Sequence, residues 1–556
     1  MNNTNRMIKV NFRNIITKEF PAGITLKEIS QNFQNYFTFP ILIAKVDNDL
    51  VELSETISKK CDVEFYDRSS SVGNGVYGRS LQFLLIAAVK RLYGEKTEIL
   101  IEHSIDKGFY CEIPVIAIDK KIGKDIEKMM KKIVKEDLII QKISVIRSDA
   151  IKYFKKEKQM DKVEALKYIS NTYVNLYNLD ENYDYFYGDI VYNTGVLDEF
   201  KLEVINPHGF VINFPDVYMP DMTLDYVHHK MLFDKFYDYN DWCKLQRVKN
   251  AADLNNLVST GRIDELIRIC EAYYNSELEH IAVDFLKQKN HPRLILIAGP
   301  SSSGKTTTSK KLQMYLRMKG VKTVQLSVDD YFLNRNETPK DENGEYDYES
   351  LYAIDITLFN KHLNKLLSGE KVLCPRYDFI AGEKYYKDDY LQIDNETILI
   401  IEGLHSLNDE LTLSIERSMK YKIYISPLTQ LNIDDHNRIH TSDTRRLRRI
   451  VRDNRTRGYN AQNTLRMWKK IREGEEKWIY PYQDEADIII NSALLYELGV
   501  LKTFAEPLLF SVPEDSEEYP EALRLINFLR NFLPIPSEDI PKDSVLREFI
   551  GGSCFK

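Results

Sequence analysis

Hydrophobic and polar positions divide the chain into stretches of different period. Between residues 7 and 67, short runs such as MIKVNF, ILIAKV and CDVEFYD predict strands around one helix, TLKEISQNF, and so a small β-rich unit. From 120 to 137, Ile122, Ile126, Met129, Met130 and Ile133 recur at helical spacing with lysines between them. That pattern predicts a solvated amphipathic helix whose interleaved acids blunt its charge, in preference to an RNA-facing basic helix. Residues 213 to 290 pass from aromatic-rich loops to helices such as GRIDELIRICEAYYNSELEHIAVDFLKQK, a connector expected to dock on its neighbours. Short apolar runs then mark strands at Leu294 to Ala298, Val321 to Leu326 and Thr397 to Ile401. The final stretch is punctuated by prolines and carries Val545, Leu546, Phe549 and Ile550, which suggest docking rather than disorder.

Composition narrows this picture. A chain of 556 residues with 43% hydrophobic content implies several domains and ample core. A net charge of -8 weighs against binding nucleic acid over the whole surface. The six cysteines lack C-x-x-C spacing, as reduced thiols would. No run of apolar residues is long enough to cross a membrane, and the opening MNNTNRMIKVNF has no secretory apolar core, so a cytoplasmic location is expected.

The most specific motif follows the first of those apolar runs. Gly299-Pro300-Ser301-Ser302-Ser303-Gly304-Lys305-Thr306 fits G-x-x-x-x-G-K-[ST] at every fixed position, with a strand before it and a helical KKLQMYLRMKG after it. In such a loop the glycines let backbone amides curl around phosphates and the helix N-terminus adds a positive dipole. Lys305 would reach the phosphates and Thr306 would offer its hydroxyl to Mg²⁺, with Ser301, Ser302, Ser303 and Thr307 completing an ATP-binding set. Asp329 and Asp330 stand at the end of the next strand, where a carboxylate can take a proton or hold a metal, and the sequence leaves the choice between them open. Glu402 ends the TILII strand, as the acid of a metal-supporting element would. Seven arginines fall between Arg445 and Arg457, with Arg445, Arg449 and Arg452 on one helical face. A phosphate-clamping lid explains them better than a nucleic-acid patch, because interleaved aromatics are absent. His228-His229 and the pair His436, His440 are read as structural, the latter on a surface helix.

Two resemblances give these regions names. KEFPAGITLKEI, AKVDNDLVELSETI and VEFYD resemble the TGS domain of threonyl-tRNA synthetases, and GRSLQFLLIAAVKRLY, IEHSIDKGFYCEIP and VYNTGVLDEFKLEVI resemble the second additional domain of those enzymes. In that domain an H-x-x-x-H pair and a C-x-x-x-H pair form the editing site, and the corresponding positions here are Arg79, Phe83, Phe186 and Ile190, which cannot ligate a metal or shuttle a proton. The resemblance therefore implies a binding, regulatory or scaffolding role for the front half, with tRNA or an amino acid as a possible effector.

After GPSSSGKTTT, the segments LSVDDYF, YDYESLYAID, CPRYDF, IIEGL and DTRRLRRIVRDNRTRG resemble the uridine kinase and phosphoribulokinase family over about residues 292 to 495. The resemblance implies that Asp329 is the catalytic base, Asp347 binds ribose hydroxyls, Tyr377 and Phe332 lie at the base pocket, and Glu402 supports magnesium together with Thr306 and Asp329. It places Arg449, Arg452 and Arg457 in the lid. Positions that read the pyrimidine in uridine kinases are here Gly382, Tyr459 and Met467, so the acceptor, a nucleoside or in the alternative a sugar or polyol, is left unnamed. The expected architecture is α/β: a P-loop kinase domain with a parallel sheet (291–505), preceded by a TGS-like β-grasp domain (7–67), an α+β editing-like domain (76–212) and a helical connector (213–290), and followed by a docking tail (506–556).

Overall fold

The computed structural model describes residues 6–13, 16–342 and 344–555; the first five residues of the opening segment lie outside these. The front unit is a five-stranded sheet in the order Ile16–Pro21, Met7–Phe12, Cys61–Tyr66, Ile43–Val46, Asp49–Glu52. Its first and last-formed strands pair in parallel at the centre, Val10 opposite Cys61, and the helix Leu26–Gln31 covers one face with a Thr25/Glu28 capping box. Alternation along Met7–Phe12 buries Ile8, Val10 and Phe12, as the two-residue period requires.

The long helix Ser71–Tyr93 follows, buried along most of its length. It packs with the helix Lys120–Glu136 and with a four-stranded antiparallel sheet ordered Lys201–Asn206, Gly209–Asn213, Gly108–Glu112, Leu100–Ile105. Only Gly123, Ile126, Met130 and Ile133 of Lys120–Glu136 are buried, so this helix is the amphipathic surface element its spacing predicts. Its exposed face leaves the lysines in water.

The second sheet that matters is parallel throughout, in the order Thr323–Ser327, Ile398–Glu402, Leu294–Ala298, Lys420–Ser426, Ile488–Asn491. A parallel sheet is covered on both faces, which is why Leu294–Ala298, Ile398–Glu402 and Lys420–Ser426 are buried at every residue. Each aliphatic side chain buried there contributes about 2 kcal/mol of transfer free energy. One face carries the helix Lys305–Met318 and the connector helix Ile263–Lys287, whose Tyr274, Leu278 and Ile281 share a core with Ile295 and Ile297. The same core takes in Leu525, Phe528, Val545 and Phe549 from the C-terminal segment. The expected divisions at 290 and 505 thus fall inside one continuous hydrophobic core.

The front half and the parallel-sheet unit are joined by the loop 429–440. Asn432 donates to the carbonyls of Ile101 and Glu102 at 3.1 and 2.8 Å, and Asn437 to that of Tyr185 at 2.8 Å. Beneath it Lys162, fully buried, pairs with Asp184 at 2.7 Å and Asp434 at 3.1 Å. His436 Nδ1 hydrogen-bonds the Asp184 carboxylate at 2.6 Å. The expectation of a surface helix bearing His436 and His440 is therefore corrected: His436 lies buried in the loop and His440 stands at the N-cap of the helix Thr441–Thr456. The partner of His436, Asp184, lies 252 positions away, whereas His440 meets Arg438 two positions before it. No helix among the described residues is long and apolar enough to cross a membrane.

Candidate functional site

The phosphate-loop motif sits where its strand and helix predict, between Leu294–Ala298 and Lys305–Met318. Gly304 has φ +90°, in the left-handed region, and a Cβ built on it would lie 2.4 Å from Val545, so no other residue fits the turn. Ser302 adopts φ +60°. Ser301, Ser302 and Ser303 are buried, and the Ser302 and Ser303 hydroxyl oxygens have no partner. Lys305 curls back so that its ammonium donates to the carbonyls of Gly299 at 2.9 Å and Pro300 at 3.2 Å, with no carboxylate paired to it among the described residues. Burial pulls the lysine below its ordinary value, while Glu402, Asp329 and Glu548 pull it back up.

Strand register brings the acids to this loop. Ser327 and Glu402 lie side by side on neighbouring strands, and the Ser327 hydroxyl donates to Glu402 at 3.0 Å. Glu402 is 5% exposed, and burial together with the negative charge of Asp329 pushes its carboxyl up to about 7, against the pull of Lys305. Asp329 and Asp330 stand on one turn of 3₁₀ helix, Val328–Tyr331. The two differ in their partners: Asp330 accepts from Arg376 at 3.1 Å and from the Tyr377 amide at 3.3 Å. Among the described residues Asp329 forms no ion pair within 4 Å, and it faces the charges of Lys305, Glu402 and Arg457 instead.

The arginine helix lies closed over the loop. Arg445 donates to the Ser301 carbonyl at 3.1 Å and pairs with Glu475, which in turn accepts the Ser301 amide at 3.1 Å. Arg449 donates to the Ser301 hydroxyl. Asp453 gathers Arg449 at 3.1 Å, Arg452 at 2.7 Å and Arg457 at 3.9 Å, holding three guanidinium groups in one cluster. Arg448 is fully buried against Glu497 at 2.7 Å and the Ser492 carbonyl at 2.7 Å, a structural pair that the arginine-rich pattern concealed.

On the acceptor side Phe332, Tyr377 and Phe379 form a cluster with ring centroids 5.2 to 6.3 Å apart, and Arg457 lies over the Phe379 ring at 4.6 Å. Asp347 accepts the Glu349 amide at 3.2 Å on the same loop as Tyr348. Burial drives the Glu349 carboxyl up to about 7, with Arg449 opposing. Gly382, with φ +75°, is where Arg335 approaches: a Cβ there would meet the Arg335 guanidinium at 2.8 to 3.0 Å. A donor from another element thus occupies the space left by the missing side chain.

The tail was expected only to dock, and it does more. Glu548 accepts the backbone amide of Thr307 at 2.9 Å, so one of the positions expected to bind ATP is already engaged. Arg455 donates to the carbonyls of Glu548 and Phe549, and Lys311 pairs with Asp543 at 2.9 Å. Beside this contact Thr306, Thr307, Arg455, Arg547 and Glu548 line a cavity of about 250 Å³. Sequence reading missed Glu475, Asp453, Glu548 and Arg335. Asp453 alone carried a signal, as an acid set among arginines at helical spacing.

In the front half Phe83 and Phe186 meet edge to face at 5.2 Å, and Ile190 is buried beside them. These side chains fill with hydrocarbon the positions the resemblance assigns to metal ligands. Among the described residues no group of three or more histidine, cysteine and acidic side chains is placed to hold a metal.

Residues 294–495 match the model of the Phosphoribulokinase / Uridine kinase family. The chain is similar to a uridine kinase of Brevibacillus brevis, 29% identical over 201 residues, which is 36% of this chain and 85% of that protein. It is also similar to a threonine–tRNA ligase of Carboxydothermus hydrogenoformans, 34% identical over 198 residues, 35% of this chain. The chain spans less than a third of that ligase, 31% of its length. A solved structure described as a possible uridine kinase from Bacillus stearothermophilus aligns over 39% of this chain and 98% of its own, at 17% identity and a TM-score of 0.28.

Proposed function

We propose that the parallel-sheet unit is an ATP-dependent phosphotransferase that phosphorylates a hydroxyl of a small molecule, with a nucleoside as the acceptor. The observation that carries this reading is the position of Asp329: its charge and that of Lys305, at the start of the helix after the phosphate loop, both act on Glu402 at its strand end, while Asp330 is held by Arg376. The residues present fit a nucleotide polyphosphate. Unpartnered buried hydroxyls at Ser302 and Ser303, a lysine without an acid partner and a cluster of guanidinium groups are suited to phosphate oxygens. Thr306, Glu402 and Asp329 would hold magnesium, a small oxygen-only donor set that leaves room for water and phosphate. ATP with magnesium supplies the transferable phosphoryl group.

The chain's own residues divide the remaining work. Lys305 and the loop amides position the donor phosphates; Arg449, Arg452 and Arg457 neutralise charge developing on the transferred group. Asp329 accepts the proton of the attacking hydroxyl. The closed arginine helix keeps water from competing as acceptor. The Phe332, Tyr377 and Phe379 rings favour a planar base over a sugar or polyol, because stacking area is wasted on a polar chain. Replacing Asp329→Asn should lower kcat by about 10²- to 10⁴-fold with ATP affinity nearly unchanged, measured as nucleoside-dependent ADP release and by calorimetric titration of ATP. Full turnover in that variant would overturn the assignment. A panel of nucleosides, sugars and polyols decides the acceptor class, and a response to sugars alone would favour the phosphoribulokinase-like alternative.

A further inference from the structure

Away from the phosphate loop, a second concentration of positive charge lies at the seam between the front half and the parallel-sheet unit. A cavity of about 50 Å³ opens there between the helix Ser71–Tyr93, which contributes Gly75, Arg79 and Gln82, and the loop residues Arg438 and His440. Arg438 is 7% exposed. It donates to the Ser104 hydroxyl and to His440 Nδ1, and its Nε is buried without a partner. Arg79 donates to the backbone carbonyl of Asp189 and lies over the Tyr187 ring at 5.6 Å.

Neither guanidinium has an ion-pair partner among the described residues. The acids within electrostatic reach are bound elsewhere or stand off. Asp443 is bound by two nitrogens of Arg524 at 2.7 and 3.0 Å. The Asp189 carboxyl, pushed up to about 6 by burial and by Glu52, feels the charge of Arg79 but forms no ion pair with it within 4 Å. Because an arginine N–H can only donate, the His440 nitrogen it meets must accept, which leaves the imidazole proton on Nε2. Arg438 itself forces His440 well below its ordinary value, so the ring is a neutral donor. Gln82 is 5% exposed and its amide has no hydrogen-bond partner among the described residues.

Cations removed from water without a counter-charge cost several kcal/mol unless something compensates them. We infer that this seam is a binding site for a small oxyanion, held by Arg79, Arg438 and the donors Gln82 and His440. The volume admits one phosphate or carboxylate group and excludes a nucleobase. The bulk of any larger ligand would have to remain outside the cavity. A phosphate ester and an amino-acid carboxylate share this chemistry, and the two are separable by experiment.

The test uses the full chain and inorganic phosphate or acetate as probe, followed by calorimetry. Lys305→Ala removes the competing phosphate-loop site, and the seam site should persist in it. Adding Gly75→Glu should then abolish it: a Cβ at Gly75 meets nothing within 4 Å, so the new carboxylate can enter the cavity and act as a built-in ligand. This variant should also raise the unfolding temperature, since it replaces a helical glycine and neutralises the arginines. Arg438→Met should weaken phosphate roughly tenfold or more in the same background. Preference for phosphate over acetate assigns the site to phosphate esters, and the reverse to carboxylates. If phosphate and acetate both fail to bind, or if binding survives Gly75→Glu and Arg438→Met unchanged, the inference is wrong.

Discussion

Glu402 shows how a single buried carboxyl couples the site to pH. Its value is raised in the folded chain, so between the ordinary glutamate range and about 7 the folded form keeps a proton that the unfolded form has released. Stability linked to this group is therefore full in acid, declines through that window and is lost above about 7. Glu402→Gln removes the dependence. Its unfolding free energy, measured by calorimetry, should match the parent's near pH 5 and exceed it near pH 8, by an amount on the order of 2 kcal/mol. Turnover should fall together with this gain in stability, the trade expected where an acid is held for chemistry rather than for packing. The pair Asp329 and Asp330 illustrates what a sequence leaves undecided at this scale. Adjacent identical residues differ only in their tertiary partners, and Arg376 is 46 positions away from the aspartate it holds.

At the scale of elements, the helix Thr441–Thr456 mixes two kinds of arginine. Periodicity told which of them share a face, but the depth of each face depends on acids elsewhere: Glu475, 30 positions from Arg445, and Glu497, 49 positions from Arg448. Arg448→Met should cost about 3 to 5 kcal/mol, read by denaturant unfolding, because it leaves Glu497 buried without its counter-ion. Arg452→Gln should leave the unfolding midpoint nearly unchanged and lower kcat by about 10³-fold. The phosphate loop and three of the five parallel strands were legible because their motif and apolar runs are local, whereas Lys420–Ser426, with its interleaved lysines and tyrosines, and the short Ile488–Asn491 were not named. The tail's short helical end was read, but the contact made by Glu548 on the helix Arg547–Ile550 was not, since its carboxylate gains meaning only from the amide of Thr307. Under the proposed function, Glu548 and a nucleotide phosphate would compete for that amide. Glu548→Ala should therefore tighten ATP binding by about three- to tenfold in a calorimetric titration, the size of one charge-assisted hydrogen bond.

For the whole molecule, the seam carries more than contact area. The TGS-like and editing-like regions were readable from short motifs, whereas their attachment was not, because Lys162, Asp184, Asp434 and His436 are unremarkable apart and form a network only when the chain is folded. Lys162→Met should strand two buried carboxylates and cost about 3 to 5 kcal/mol, with front half and parallel-sheet unit melting together in one calorimetric transition. Two separate transitions in the parent chain would show instead that the network does not unite them. The ion network has a further consequence for exchange of parts. A chimera given the front half of another protein would keep Asp434 and His436 without Lys162 and Asp184, leaving buried charge uncompensated, so the two halves act as a matched set.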